Sequence, residues 1–144
     1  MKEKEIGFII KQISDKLKSR ADNSFQKHDL TLAQVKVLGF IAKSGGCVTQ
    51  KSIEEHLQVS HPTVVGIVKR LEEKAFLSCT IGQQDKRNKI VSLTEKAVLL
   101  GDILKKEKSK TDKILTEGFS ASEQQLLRDF LTRMYDNVEG RETC

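Results

Sequence analysis

The chain has 144 residues, 38% hydrophobic, 31% charged and 5% aromatic, which suits one domain-sized core, is short for two, and leaves part of the apolar surface to be buried only on dimerisation. Its net charge of +5 permits a polyanionic partner without demanding one, and the positive excess lies in the first two thirds: nine basic against five acidic residues in 1–46, eight against six in 47–96, and eight against nine in 97–144. No apolar run approaches the roughly 20 residues that span a bilayer, and Met1 to Ile10 mixes Lys with Glu instead of forming a basic and then apolar leader, so a cytoplasmic protein with no membrane partner is expected.

From Glu5 to Ala21, the residues Ile6, Ile9, Ile10, Ile13 and Leu17 recur at helical spacing, which predicts an amphipathic first helix. Phe25, His28 and Asp29 lead to Thr31, whose hydroxyl stands three residues ahead of Gln34 as in a capping box. A second helix is expected there, with Leu32, Val35, Leu38 and Ile41 inward. Ser44, Gly45 and Gly46 end it, since glycine readily takes the left-handed conformation that stops helices. Thr49 to Leu57 reads as a short third helix with Thr49 as the better cap and only Ile53 and Leu57 inward. After the tight connection Gln58 to Ser60, Ser60 is expected to cap a fourth helix whose first turn tolerates Pro62, because the missing N–H had no intrahelical partner. Val64, Val68, Leu71 and Ala75 line its inner edge. Two short helices joined by so short a turn form the helix-turn-helix pattern.

Leu77, Cys79 and Ile81 then alternate with Ser78 and Thr80 as in a half-buried strand, and Ile90 to Leu93 is strand-like again. The polar, basic stretch Gly82 to Lys89 between them predicts a hairpin with a charged tip. Thr94 is placed to cap a long helix through Ala97, Leu100, Ile103 and Leu104 to Ile114 and Leu115. Ser120 and Glu123 form a further capping box, and Leu126, Leu127, Phe130, Leu131, Met134, Tyr135 and Val138 give the last helix a broad apolar face. The fold class is therefore mainly α with a small β-hairpin wing: a winged helix-turn-helix plus a helical dimerisation region.

Over essentially its full length this sequence resembles the MarR (multiple-antibiotic-resistance regulator) family of winged-helix proteins. Leu30 to Val35 looks like the family's second-helix opening, Val59 to Val64 and Lys69 to Glu72 like its recognition helix, and Asp85 to Arg87 followed by Val91 to Thr94 like its wing. The resemblance implies a single MarR-like domain over 1–144, with a DNA-binding lobe at 31–94 and dimerisation helices at 1–25 and 95–144. It also implies a homodimer straddling a palindromic operator in double-stranded DNA, acting as a repressor and released by a small-molecule effector held between the dimerisation helices and the lobe. Two positions depart from the pattern. Ala75 and Phe76 stand where the family often has glycine before an apolar residue, and Val65 and Gly66 put little hydrogen-bonding chemistry on the recognition helix.

With Val64, Val68 and Leu71 inward, His61, Thr63, Gly66, Lys69 and Arg70 fall on the exposed side. First-turn residues of such a helix reach base edges, so His61 and Thr63 are candidate readers, while Ser60 and the free N–H groups suit a phosphate. Lys69 and Arg70 suit phosphates, or form a solvated face with Glu72 and Glu73. Gly66 allows close approach to DNA. Lys86, Arg87 and Lys89 on the wing are candidates for the minor groove or its phosphates, with Asp85 orienting the Arg87 guanidinium. Thr49 and Lys51 would contact backbone phosphate.

Other functions find less in the sequence. His28, His56, His61 and Cys47 lack metal-ligand spacing, so no metal is expected. Cys47, Cys79 and Cys144 are odd in number and widely spaced, which argues against a disulfide framework. Cys47 is the candidate reactive thiol if the protein senses redox state, and Cys79 reads as core. There is no Gly-rich phosphate loop or nucleophile elbow, so neither an enzyme nor a cofactor is expected. A wing used only for protein docking is the main rival, and the cations at its tip argue against it.

Overall fold

A computed structural model describes residues 5–81 and 89–141. In chain order the elements are α1 (Ile6–Lys27), α2 (Leu32–Lys43), β1 (Cys47–Thr49), α3 (Gln50–Leu57), α4 (His61–Glu73), β2 (Leu77–Ile81), β3 (Lys89–Leu93), α5 (Glu95–Leu115) and α6 (Ala121–Glu139). The chain forms two compact units, Met1–Lys108 and Ser109–Cys144.

In the first unit, α2, α3 and α4 pack on a three-stranded antiparallel sheet of order β1-β3-β2. Val37, Ile41, Ile53, Val64, Val68, Leu71 and Val91 have no exposed surface, and Leu30, Phe76, Leu77, Ala97 and Leu100 close the core around them. Cross-strand register places Val48 and Cys79 on either side of Val91, so one face of the sheet supplies the floor of this core.

The expected caps of α2 and α6 are both present as reciprocal boxes, Thr31 with Gln34 and Ser120 with Glu123. Thr49 caps α3 by accepting the Ser52 N–H at 3.2 Å. At α4 the expectation is only half met. Ser60 occupies the cap position, but its hydroxyl meets that of Thr63 at 2.8 Å and no side chain caps the helix.

Three other expectations are corrected, and one strand is found that was not expected. Helix α1 runs to Lys27 rather than Ala21, because Phe25 packs on the core and supplies the carbonyl that takes the Leu30 N–H at 2.9 Å, while Asp29 adopts φ 57°. This closes the helix as a Schellman motif would. The inner edge of α2 is Gln34, Val37, Leu38 and Ile41; Leu32 is 42% exposed, since its position in the first turn lies about half a turn off that stripe. Gln34 is tolerated inside because its Oε1 accepts the Thr31 N–H at 3.1 Å and Lys74 Nζ at 3.3 Å. Ala75 is exposed and lies beyond α4. Finally, β1 carries no alternation signal in three residues and forms by pairing with the free edge of β3.

The end of α4 is tied down on both sides. Phe76 N–H donates to the Leu71 carbonyl and Ala75 N–H to that of Glu72, each at 2.9 Å. The Thr94 hydroxyl donates to the Ala75 carbonyl at 2.7 Å and accepts the Ala97 N–H at 3.3 Å, so one side chain caps α5 and holds the end of α4. Helix α1 buries none of its residues; Ile6, Phe8, Ile9, Ile10 and Ile13 are all at least 41% exposed.

In the second unit the end of α5 leads through Gly118, at φ 83°, into α6. Helix α6 also buries none of its residues, and Leu126, Phe130, Leu131, Tyr135 and Val138 stand exposed.

Ala75 holds φ 64° without being glycine, a left-handed conformation that costs an L-residue roughly 1–2 kcal/mol. Ala75→Gly is expected to stabilise the fold by about 1 kcal/mol, less whatever the freer unfolded chain gives back. Urea unfolding should show a higher midpoint at unchanged slope; an unchanged or lower midpoint would show that the turn carries no strain.

Candidate nucleic-acid interface

The geometry of the helix-turn-helix follows from its buried edges. Ile53 anchors α3, Val64, Val68 and Leu71 anchor α4, and the turn between them closes with Gln58 in the left-handed region at φ 52°. Fixing that edge of α4 turns Pro62, Thr63, Val65, Lys69 and Arg70 outward, and His61, which follows the buried edge one turn before Val64, is exposed at the start of the helix. The start of the helix lacks a side-chain cap, and such a start presents backbone N–H groups and the positive end of the helix dipole to an anion.

Gly66 is helical and half-buried, and a Cβ built on it would meet no atom within 4 Å. No internal packing requires the glycine, although glycine in a helix interior costs about 1 kcal/mol relative to alanine. Val65, 37% exposed, adds an apolar contact of the kind a thymine methyl accepts.

His61 is not free. Its Nδ1 meets the Oε1 of Glu54 on α3, in the turn before. Glu54 was not a candidate on sequence grounds, because it and His61 stand on different helices and the period of one helix says nothing of a contact with the next. Thr49 is half-buried and spends its hydroxyl on the α3 cap; Lys51 is exposed beside it. Lys89 opens β3 opposite Ile81 at the edge of the described hairpin. Lys86 and Arg87, with Asp85, lie outside the described residues.

The three histidines have separate surroundings. His56 stacks on Phe40 with ring centroids 4.2 Å apart, the His28 Nε2 lies 3.8 Å from Glu107, and His61 pairs with Glu54. Among the described residues no group of three or more His, Cys, Asp or Glu side chains is placed to hold a metal ion, and no helix is long and apolar enough to cross a membrane.

Comparison with known proteins follows the same division. Residues 28–87, which contain the helix-turn-helix and β2, match the model of the MarR family. The HTH-type transcriptional regulator YybA of Bacillus subtilis (strain 168) is 27% identical over 136 residues, covering 94% of this chain and 87% of that protein. The crystal structure of MepR, a transcription regulator of the Staphylococcus aureus multidrug efflux pump MepA, superposes with a TM-score of 0.83 at 25% identity, over 94% of this chain and 99% of that one. A complex of S. aureus MepR with DNA gives 0.78 at 26% identity, over 92% and 98%.

The two described cysteines differ in kind. Cys47 is exposed on β1, where its sulfur accepts the Ser92 hydroxyl at 3.3 Å. Cys79 is half-buried on β2; burial first, and then a hydrogen bond with Glu72, push its thiol from 9.0 to about 11 against the pull of Lys89. A thiol held protonated is a poor nucleophile. At about pH 8, in a Cys144→Ser background, Cys79 should therefore alkylate far more slowly than Cys47, as read by peptide mass mapping; equal rates would contradict the assignment. The sign for stability is negative with rising pH. Between 9.0 and about 11 the unfolded thiol has lost its proton and the folded one retains it, so this group's contribution declines across that window.

Proposed function

We propose that this chain is a winged helix-turn-helix protein of the MarR family that works as a homodimeric, sequence-specific DNA-binding transcription regulator, a repressor of a palindromic operator. One observation carries the reading. Helix α4 buries Val64, Val68 and Leu71 completely and turns an uncapped first turn, a packing-free glycine and the Lys69–Arg70 pair outward. That is the face a recognition helix lays in the major groove.

In this reading residues 31–94 form the DNA-binding lobe. His61 and Thr63 meet base edges, Ser60, Thr49, Lys51, Lys69 and Arg70 meet phosphates, and Lys86, Arg87 and Lys89 serve the wing. The dimerisation region comprises 1–25 and 95–144. Its support is the large apolar side chains left exposed on α1 and, separately, on α6, the kind of surface that marks an interaction site. For an effector, a cavity of about 580 Å³ lies between the end of α1, the end of α4 and the first turns of α5, lined by His28, Lys74, Phe76, Lys96, Leu99 and Ile103 among others. Lys74 reaches from it to the Asp29 carbonyl and Gln34, and Lys96 to the Lys74 carbonyl at 2.7 Å. A ligand entering here would act on the end of the recognition helix.

The test is titration of the protein against a pool of genomic duplexes at two salt concentrations, with Arg87→Ala and Lys89→Ala beside it. Retention of a palindromic subset is expected, weakening with log K slope of roughly 0.9 per phosphate neutralised, and each wing variant should lose affinity and lower that slope by about one phosphate. Binding at only the non-specific level would favour a protein-docking winged helix.

Gly66→Ala separates fold from function. It should raise the unfolding free energy by about 1 kcal/mol and at the same time weaken operator binding, as measured on the same preparation. Undiminished binding would remove the close approach at Gly66.

A further inference from the structure

We propose that Glu54 is a positioning residue that fixes which ring nitrogen of His61 carries the proton, and thereby which base His61 reads. The inference rests on the DNA-binding reading above. The two side chains are unequal partners: Glu54 is 20% exposed and His61 67% exposed. Glu54 is thus held largely within the helix-turn-helix, while most of the imidazole looks outward from the first turn of α4.

An ionised carboxylate can only accept a hydrogen bond, so the contact of Glu54 Oε1 with His61 Nδ1 requires the proton on Nδ1. In the neutral ring the other nitrogen, Nε2, then carries a lone pair and acts as an acceptor. Such a carboxylate partner sets both the tautomer and the ring plane. In the major groove an acceptor finds its match in an exocyclic amino group, N6 of adenine or N4 of cytosine. It is rejected by O6 and N7 of guanine and by O4 of thymine, which are themselves acceptors.

Without Glu54 the ring is free to place its proton on Nε2 and to turn, and the selection is lost. Glu54 pairs in this way across the turn rather than with Lys51 on its own helix. The arrangement also prepays the ordering of a side chain that would otherwise be immobilised on binding.

The experiment is selection of bound duplexes from a randomised pool by the wild-type protein, Glu54→Ala, Glu54→Met, Glu54→Gln, His61→Ala and the double variant Glu54→Ala with His61→Ala. It is run at about pH 8, with thermal unfolding recorded for each. The wild type should prefer adenine or cytosine at one position of each half-site by roughly fivefold, the lower end for a side-chain contact to a base. Glu54→Ala, Glu54→Met and His61→Ala should each lose that preference and keep the rest of the operator, and the double variant should lose no more than either single one. Glu54→Gln, whose amide oxygen still accepts the Nδ1 proton, should retain a preference that Glu54→Ala lacks. Glu54→Met keeps the stem of the side chain, so the comparison survives if Glu54→Ala fails to fold. Should the alanine or methionine variant select the same base as wild type, or should its loss add to that of His61→Ala, the positioning role is overturned and the DNA-binding reading stands. If the wild type selects no sequence at all, the DNA-binding reading has failed and this inference falls with it.

Discussion

Val64, Val68 and Leu71 have no solvent exposure, and they lie on one edge of a helix of only 13 residues. That burial sets the rotation of α4 about its own axis to within a fraction of a turn, because any other rotation would lift three branched side chains out of the core at about 1.5–3 kcal/mol each. What the opposite edge displays is a consequence. The exposure of Thr63, Lys69 and Arg70 needs no separate device, and neither does the outward turn of Gly66. Ile53 fixes α3 in the same way, and the short left-handed turn at Gln58 gives the two helices little freedom relative to one another. The pairing of Glu54 with His61 becomes available because both helices are locked.

Much of this was legible because helix faces repeat. The Val64, Val68 and Leu71 edge, the caps at Thr31, Thr49 and Ser120, the Cys79 and Val91 strands and the length of α5 all follow from periodicity or from capping chemistry within four residues. What escaped depends on contacts remote in sequence. Strand β1 exists because β3 offers it an edge, and three residues carry no period. Leu32 and Val37 are equally apolar, so only the packing of α2 decides that Val37 is inside and Leu32 out. Helix α1 continues through Asp22 to Ser24, poor helix formers, because Phe25 gains burial beyond them. The left-handed residues Asp29, Gln58 and Ala75 end helices where no glycine announces it. The first-turn face of α4 was legible in the same periodic terms, whereas the neighbour that orients His61 was not.

The open apolar residues of α1 and of α6 reflect a different economy. A helix of 22 residues that buries none of them, and another of 19 in the same condition, would be unstable as isolated segments, since helices of this length in water depend on packing of an amphipathic face. Each has the composition of a helix whose stability another surface would complete, so in the dimeric reading the folding of these segments and their association are parts of one equilibrium rather than successive events.

The Thr94 hydroxyl has a mechanical side. It accepts the Ala97 N–H of α5 and donates to the Ala75 carbonyl at the end of α4, while the Thr94 N–H holds the Phe76 carbonyl at 3.1 Å. Two of these bonds hold Thr94 to the residues that close α4 and the third holds it to α5, so a single residue rivets the two helices together. Anything that displaced the first turn of α5 would therefore pull first on Ala75 and Phe76, the residues that close the end of α4.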